Sequence, residues 1–406
     1  MKRLSKGFAH AALVVGLPAL GAGCASWPER PQVTAAAQAM AQVPGFGHVR
    51  QWTDAPLPEW KIWQEKWLAD RAAAGIQTPP TLLAISSGSD QGAFGAGYLA
   101  GWTQRGDRPQ FDVVTGISTG ALIAPFAFLG PQYDATLHTL YTTIRAKDIY
   151  RARPLGGLTG GPSFADSKPL RTLIARYVTI DLLDRIAAEH RRGRRLLVAT
   201  TNLDAGRGVV WDLGAIADSH SPTRVALARK ALLASASIPG MLPPVLINVS
   251  AGTQRFAEMH VDGGTAGSVF GLPPAVIWTD QYRAPAQAGA SITILYNGKI
   301  FPRYEVVQPR AFTILGRALD TLIGESDRDL IRSYRQFAQE HGIAFGLVAI
   351  DHCYELPRTE KFDRASMRRL YAQGLRQALA EPPMPSSTAR GGVADQAPVA
   401  PCAPER

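Results

Sequence analysis

A glycine-flanked serine directly after a short apolar run constrains this chain more than any other feature. Residues 111–115 (FDVVT) predict a buried strand, and the residues from Ala121 onward predict a helix. Between them lies the sequence G-I-S-T-G, in which Gly116 and Gly120 flank Ser118. Because glycine allows close approach of the backbone, this sequence predicts a tight turn that presents the serine hydroxyl at the carboxyl end of a strand. Enzymes that use a nucleophilic serine can present it in such a strand-to-helix turn.

A second glycine-rich turn follows an earlier predicted strand at residues 82–86, and Gly88 and Gly92 lie within it. A helix predicted around residues 93–102 comes next, so free backbone N–H groups and the positive end of the helix dipole meet there. Such donors suit the oxyanion of an acyl-transfer intermediate, although a phosphate could equally be held. The glycine spacing does not fit the dinucleotide-binding pattern G-x-G-x-x-G.

Asp262 ends a predicted strand at residues 256–261 and is followed by Gly263 and Gly264. A carboxylate at a strand end can accept a serine proton directly, so that no histidine is required. Asp-Gly-Gly is also an ordinary turn sequence, since both residue types are favoured in turns. A triad of serine, acid and histidine, with His341 or His352 as the base, is a further alternative.

Strands and helices alternate along most of the chain, which predicts a three-layer α/β/α domain with a mostly parallel central sheet. We place this domain at residues 77–380 and expect residues 133–177 to form a cap over the site. The predicted strands also include residues 196–201, 209–212, 292–297 and 344–350, and long helical patterns cover residues 60–73 and 311–340.

The first residues are typical of an export signal. A basic start is followed by an apolar stretch at residues 11–20, which is too short to span a bilayer. Small residues then lead to Cys24, as in a bacterial lipoprotein signal, where this cysteine becomes the lipidated first mature residue. An ordinary secretory signal is the alternative. Ala25 and Ser26 follow without an aspartate, which resembles lipoproteins of the outer membrane, so we expect the protein in the cell envelope.

The ends of the chain lie outside the predicted domain. We expect a signal peptide at residues 1–23, an N-terminal tether and helix at residues 24–76, and a disordered Pro/Ala-rich tail at residues 381–406. The flexible part of the tether is predicted from Ala25 to about Arg50. After Cys24 the chain has two more cysteines, Cys353 and Cys402, and the sequence leaves their pairing open.

Composition and charge narrow the class of partner. With 46% hydrophobic and 19% charged residues the composition is globular, and the net charge of +10 favours anionic partners such as phospholipid head groups. The dense basic cluster at residues 191–195 has no interleaved aromatic residues, so we expect no nucleic acid partner.

Taken in order, these segments resemble the patatin-like phospholipase family. Its members show a glycine-rich oxyanion turn, then G-x-S-x-G, then a proline-containing segment, then Asp-Gly-Gly or Asp-Gly-Ala. The third element is similar to residues 234–245 of this chain, ASASIPGMLPPV. The resemblance covers about residues 81–267.

The resemblance implies a serine acyl hydrolase that cleaves carboxyl esters of phospholipids or other lipids through a covalent acyl-enzyme. Ser118 would be the nucleophile and Asp262 its base in a Ser-Asp dyad. The backbone N–H groups of Gly88, Ser89 and Thr119 would form the oxyanion hole. No metal or other cofactor is implied, and a lipidated cysteine would bring the enzyme to a membrane surface.

One departure from the family pattern lies in the oxyanion turn. Gln91 occupies the position where a basic residue is common. This departure favours an alternative in which the protein is a catalytically weak envelope lipoprotein with a binding or structural role.

Overall fold

The computed structural model describes residues 29–153, 156–157, 160–277, 289–301, 304, 306–356 and 361–380. The predicted signal peptide, Cys24, Cys402 and the predicted tail lie outside the described residues; Cys353 is disulfide-bonded. The strands are β1 (Arg50–Trp52), β2 (Thr81–Ile85), β3 (Val113–Ile117), β4 (Arg151–Ala152), β5 (Ala165–Asp166), β6 (Arg195–Asn202), β7 (Arg207–Asp212), β8 (Val245–Ala251), β9 (Gln254–Asp262), β10 (Ser291–Tyr296) and β11 (Ala344–Ala349).

The helices are α1 (Ala35–Met40), α2 (Leu57–Ala73), α3 (Gly92–Arg105), α4 (Thr119–Leu129), α5 (Asp134–Thr143), α6 (Ala146–Ile149), α7 (Lys168–Tyr177), α8 (Ile180–Arg191), α9 (Leu213–Asp218), α10 (Arg224–Ser235), α11 (Pro274–Ile277), α12 (Ala311–Glu340) and α13 (Arg364–Ala380). The four helices predicted from the sequence are α2, α3, α4 and α12, and they begin and end within a few residues of the predicted positions where these were given. Among the described residues, no helix is both long and apolar enough to cross a bilayer.

A nine-stranded sheet forms the centre of the described chain, in the order β1-β7-β6-β3-β2-β10-β11, with β9 beside β6 and β8 outside β9. The five strands from β6 to β11 in this order run parallel, and the strands toward β1 and β8 are antiparallel. The parallel strands β2, β3, β6 and β10 are buried on both faces, which is why they are largely apolar runs in the sequence, whereas the edge strand β11 is buried on one face only. The predicted mostly parallel sheet is confirmed.

Helices cover both faces of this sheet, as the prediction of three layers requires. On one face α3, α4, α5 and α13 pack against one another, and α4 contacts β3 and β6. On the other face α2, α11 and α12 pack together, with Trp60 of α2 against Phe270. The fold is therefore the three-layer α/β/α arrangement.

The ends of β3 and β9 meet beside β6. β3 pairs with the first part of β6, where Ile117 lies opposite Ala199. β9 runs in the opposite direction along the remainder of β6, where Asp262 lies opposite Thr200. Because both strands lie on the same side of β6, their ends face one another. This register brings Asp262 to Ser118, although 144 positions separate them in sequence.

The N-terminal segment corrects the prediction of a flexible tether up to about Arg50. Residues from Ala35 onward belong to the fold, because β1 pairs with β7 and both Val43 and Val49 are buried. The Ala/Gln/Pro-rich composition suggested weak packing. It could not indicate that polar side chains of this segment bind a strand far along the chain.

Glu258 of β9 is the centre of those polar contacts and is fully buried. Arg50 forms an ion pair with it, Gln38 donates to its Oε1 at 3.1 Å, and the Nε2 atom of His260 lies 2.9 Å from its Oε2. Burial raises the pKa of Glu258, but the hydrogen bonds from His260 and Arg50 outweigh burial and hold this pKa below its usual value. The carboxylate is thus fully ionised and paired.

The same network fixes the strand that carries Asp262. His260 Nδ1 lies 2.9 Å from the hydroxyl of Thr200, which also accepts a 2.8 Å hydrogen bond from the indole of Trp211. Side chains alternate across a strand, so Glu258, His260 and Asp262 share one face of β9. The register of β9 against β6 is therefore held by side chains as well as by the backbone.

We expect Arg50→Ala to lower the free energy of unfolding by about 3–5 kcal/mol, because it leaves the Glu258 carboxylate buried without its cation. Arg207→Ala is the matched control, since Arg207 also stacks on Trp52 but pairs with the exposed Asp54. Its loss should stay below about 1 kcal/mol. Urea unfolding followed by tryptophan fluorescence measures both. Equal losses in the two variants would contradict the structural role given to the Glu258 network.

Candidate active site

Ser118 lies in the turn between β3 and α4, as the glycine-flanked sequence predicts. Its φ of 57° and ψ of −121° form a combination that residues with a side chain rarely adopt, and such strain is concentrated at functional sites. The flanking glycines are required by close approach. A Cβ on Gly120 would collide with the carbonyl oxygens of Ile85 and Ser86, and one on Gly116 with the backbone of Gly120.

The hydroxyl of Ser118 donates a 2.6 Å hydrogen bond to Oδ2 of Asp262. The other carboxylate oxygen, Oδ1, accepts a 2.8 Å hydrogen bond from the N–H of Gly264. A Cβ on the intervening Gly263 would press against the carbonyl oxygen of Ala199, so a glycine is required there too. The Asp-Gly-Gly sequence is therefore a turn that also orients the carboxylate toward the serine.

Burial raises the pKa of Asp262 to about 7, although the hydrogen bonds from Ser118 and Gly264 act to lower it. Both members of the pair are almost inaccessible, at 6% exposure for Ser118 and 5% for Asp262. A carboxyl group with a pKa near neutral can accept a proton and return it within one reaction cycle. The pair thus has the geometry and the acidity of a nucleophile and its base.

Two serines of the segment ASASIPGMLPPV connect the members of this pair. Ser235 Oγ accepts a 2.9 Å hydrogen bond from the N–H of Ser118 and donates at 2.7 Å to the carbonyl of Ala199. The carbonyl of Ser237 accepts a 2.9 Å hydrogen bond from the N–H of Asp262. Neither serine could be given a role from the sequence alone. The available signal was the spacing of two serines before the proline, which resembles the third element of the family pattern.

The glycine-rich turn at residues 86–92 lies beside the serine. Gly88 has a φ of 155° and Ser89 a φ of 55°, and a short 3₁₀ turn at Ser89–Gln91 leads into α3. The N–H groups of Gly88, Ser89 and Thr119 have no hydrogen-bond acceptor within the described part of the chain. Thr119 is the first residue of α4, so its N–H is left free by the helix itself. These three groups are available as donors to a ligand.

Asn297, which sequence reasoning missed, holds this turn in place. It follows β10 and is buried; its N–H donates to Ser86 Oγ at 2.7 Å, and its Nδ2 donates to the carbonyl of Ser86 at 2.9 Å. Its Oδ1 accepts from the N–H of Gly95 at 3.1 Å, and a Cβ on Gly88 would collide with its backbone. The available signal was a polar residue directly after an apolar parallel strand, at the edge where Ser118 lies.

A cavity of about 930 Å³, part of it open to solvent, adjoins Ser118 and is lined by apolar groups. No charged side chain lines it among the described residues. Much of its wall comes from the segment at residues 133–177 that we predicted as a cap. The lining residues are Ser89, Ser118, Thr119, Leu122, Pro125, Phe126, Leu140, Tyr141, Ile144, Ile149, Leu170, Leu173, Ile174, Tyr177, Val178, Leu232, Ala236, Ile238, Met241, Leu242, Phe362 and Met367.

Tyr141 ties the cavity wall to the start of α4. Its hydroxyl lies 2.7 Å from Thr119 Oγ1 and donates to the Thr119 carbonyl at 3.2 Å. Burial raises the pKa of Tyr141 above its usual value, so the phenol stays protonated. Gly92 packs against both side chains, and a Cβ there would collide with them. This contact explains the glycine at position 92.

The histidines of the alternative triad lie away from the Ser118–Asp262 pair. His341 precedes β11 and stacks on Phe337, at the opposite edge of the sheet from Ser118. His352 follows β11, three strands from β3, which is about 14 Å at about 4.8 Å per strand. Among the described residues, no histidine forms a hydrogen bond with Ser118 or Asp262.

A cation lies beside the oxyanion turn even though Gln91 is uncharged. Lys361 Nζ is 3.4 Å from Oδ1 of Asp90, and the N–H of Phe362 donates to Oδ2 of Asp90 at 3.3 Å. Phe362 also lines the cavity. A positive charge therefore reaches the turn from a different segment of the chain.

Residues 83–275 match the family model of the patatin-like phospholipases. The match includes Ser118, Asp262 and the glycine-rich turn, so residues 83–275 carry a patatin-like phospholipase domain. A comparison with curated proteins found no match. Among solved structures, the chain is similar to VipD from Legionella pneumophila, at 11% sequence identity over 75% of this chain and 67% of that one, with a TM-score of 0.38. A likeness this weak says nothing further about fold or activity.

We expect the reaction of Ser118 with a fluorophosphonate probe to increase with pH, with a midpoint near the Asp262 pKa of about 7. Below this pH the carboxyl group is protonated and cannot accept the serine proton. Labelling rates between pH 5 and 9, with Ser118→Ala as the background, measure the dependence. A flat profile, or a midpoint near 4, would show that Asp262 does not control the serine.

Proposed function

We propose that the protein is a serine acyl hydrolase that cleaves carboxyl esters of phospholipids or related lipids. The observation that carries this proposal is the 2.6 Å hydrogen bond from Ser118 Oγ to Asp262, beside a cavity without charged lining residues. The family assignment supports lipid acyl hydrolysis as the general activity. Our proposal goes beyond this general activity in assigning the reaction to Ser118 as the nucleophile and Asp262 as its base.

In the first half of the reaction, Ser118 Oγ attacks the ester carbonyl carbon while its proton passes to the Asp262 carboxylate. The carbonyl oxygen becomes an oxyanion, and the N–H groups of Gly88, Ser89 and Thr119 are the donors available to it. When the tetrahedral intermediate collapses, the C–O bond to the alcohol breaks. The proton held by Asp262 passes to the departing alkoxide, which leaves an acyl group on Ser118.

In the second half, water enters and loses a proton to Asp262 as its oxygen attacks the acyl carbon. The same oxyanion donors serve again, and collapse of the intermediate returns the proton from Asp262 to Ser118 Oγ. A pKa of about 7 suits a group that is base and acid in alternate steps. Neither half of the cycle calls for a histidine.

The cavity supports an acyl chain as the part of the substrate that is recognised. Its polar groups, Ser118 and Ser89 among them, belong to the reaction centre, and the rest of its lining is almost wholly hydrocarbon or aromatic. Burial of an alkyl chain is favourable by about 0.8 kcal/mol per CH₂. A lipid tail would therefore hold its ester at Ser118 through the hydrophobic effect.

We expect Ser118→Ala to lose all turnover of a p-nitrophenyl ester and all fluorophosphonate labelling, and Asp262→Asn to lower kcat by about 10²–10⁴-fold. KM should change less, because the carboxylate acts on the serine rather than on the bound chain. Steady-state kinetics over a series of acyl lengths measures both parameters.

His352→Ala and His341→Ala are the controls and should keep activity within a few-fold. Loss of turnover in folded His352→Ala would favour the Ser-Asp-His triad instead. If the wild-type protein binds lipid but neither hydrolyses esters nor reacts with the probe, the catalytically weak envelope lipoprotein is favoured.

We further propose that Cys24 is lipidated and holds the protein at the bacterial outer membrane. Arg30, six residues later, pairs with Asp204 at 2.5 Å, in the turn that follows β6. Six residues span at most about 21 Å. An anchor at Cys24 would thus keep this turn, at the same edge of the sheet as Ser118, close to the lipid surface.

Cys24→Ser should move the protein from the membrane fraction to the soluble fraction and leave its activity on a soluble ester unchanged. The reason is that the anchor lies outside the reaction centre. Fractionation and mass spectrometry of the N-terminal peptide measure the two properties. If the wild-type protein is fully soluble and its N-terminal peptide carries no lipid mass, the lipoprotein proposal is wrong. The hydrolase proposal is unaffected by that result.

A further inference from the structure

The first half of α12 exposes an apolar surface that the second half does not. Several of its aliphatic side chains are between 39% and 67% exposed, whereas large side chains near the end of the helix are buried. The exposed residues are Ile314, Leu315, Leu319, Leu322 and Ile323, and the buried ones are Ile331, Tyr334, Phe337 and Ala338.

Three of the exposed leucines lie mainly on a different side of α12 from its buried residues Asp327, Ile331 and Tyr334. At about 100° per residue, Leu315, Leu319 and Leu322 lie within about 60° of one another around the helix axis. The buried Asp327, Ile331 and Tyr334 centre about 120° away from them. The leucines therefore lie on a side of the helix that the core contacts near its end, through Phe337, and that is exposed in the first half.

This half of the helix projects from the catalytic edge of the sheet. Asp327 accepts hydrogen bonds from Tyr296, at the end of β10, and from the N–H of Ser268. From there α12 runs back to the start of β11, so residues 311–326 extend about 24 Å beyond the edge. The carbonyl of Ser268 accepts from the N–H of Ser87, which precedes Gly88. The projection thus begins beside the oxyanion turn.

Other exposed apolar residues lie near the same edge. Tyr304 and Val306, which precede α12, are 86% and 76% exposed. Leu203 follows β6, and Ile238 lies at the cavity beside Ser237; both are also partly exposed. Exposed apolar side chains therefore occur both in the segment before α12 and at the acyl cavity.

We propose that the first half of α12 is an interfacial segment, which inserts its leucine face into a lipid surface and seats the catalytic edge against it. The chain as a whole carries a net charge of +10. An exposed apolar helix on a basic protein fits an anionic lipid interface. The proposal rests on the proposed function for its purpose, because a lipid hydrolase must reach its ester within such a surface.

The test uses the full chain with Cys24→Ser and Ser118→Ala, so that neither lipidation nor turnover contributes to binding. Into it we introduce Leu315→Gln, Leu319→Gln and Leu322→Gln together. We expect at least a tenfold lower affinity for phosphatidylcholine vesicles containing a quarter phosphatidylglycerol, measured by co-sedimentation. The matched control is Thr313→Gln with Thr321→Gln, two exposed positions on the opposite face, which should bind as the parent chain does.

With Ser118 restored, the leucine variant should hydrolyse a soluble short-chain ester within twofold of the parent and vesicle lipid at least tenfold more slowly. Unchanged vesicle binding by the leucine variant overturns the proposal, whether or not the chain is an esterase. If the parent chain is a dimer in analytical ultracentrifugation, and the leucine variant is a monomer with unchanged vesicle binding, the leucine face is a contact between two copies of the chain instead. Weaker vesicle binding in a chain that hydrolyses no ester would keep the interfacial segment and remove the proposed function.

Discussion

The register of β9 against β6 is the constraint on which the rest of the site depends. With Asp262 opposite Thr200 and Ile117 opposite Ala199, two strands that run in opposite directions end at the same place. A shift of one residue would turn the Asp262 side chain to the other face of the sheet and away from Ser118. The hydrogen bonds of Glu258 and His260 explain why no such shift occurs, since these buried polar groups have partners in one register only.

The same burial that raises the pKa of Asp262 works against the stability of the fold. Its pKa rises from 3.8 to about 7, so the favourable contribution of the protonated carboxyl group is full below about 3.8 and is lost as the pH rises through 7. Above a pH of about 7 the folded domain must hold a poorly solvated carboxylate at Asp262. The paired charges of Arg50 and Glu258, on the same face of β9, stabilise the strand that carries this cost.

Ser118, Asp262 and the glycine turn could be predicted because each is a local pattern: a strand followed by small or turn-forming residues. The sequence also predicted the parallel sheet and α12 from their apolar periodicity. It could not predict the roles of Asn297 and Ser235, because their partners are distant in sequence and the contacts arise only from strand order. The tether prediction failed for the same reason. The composition of the segment suggested no packing, and only the fold shows that Arg50 pairs with Glu258.

Parallel topology explains why the proposed reaction centre and the proposed lipid contacts share one edge of this molecule. The carboxyl ends of β2, β3, β6 and β10 lie together, so the turns that follow them supply the N–H groups of the glycine-rich turn, Ser118, Asp204 and Asn297. The antiparallel course of α12 relative to β11 then makes any extension at its N-terminal end project past that edge. A helix lengthened in this direction adds apolar surface beyond that edge without disturbing the core, because its last turns keep their packing through Tyr334 and Ala338.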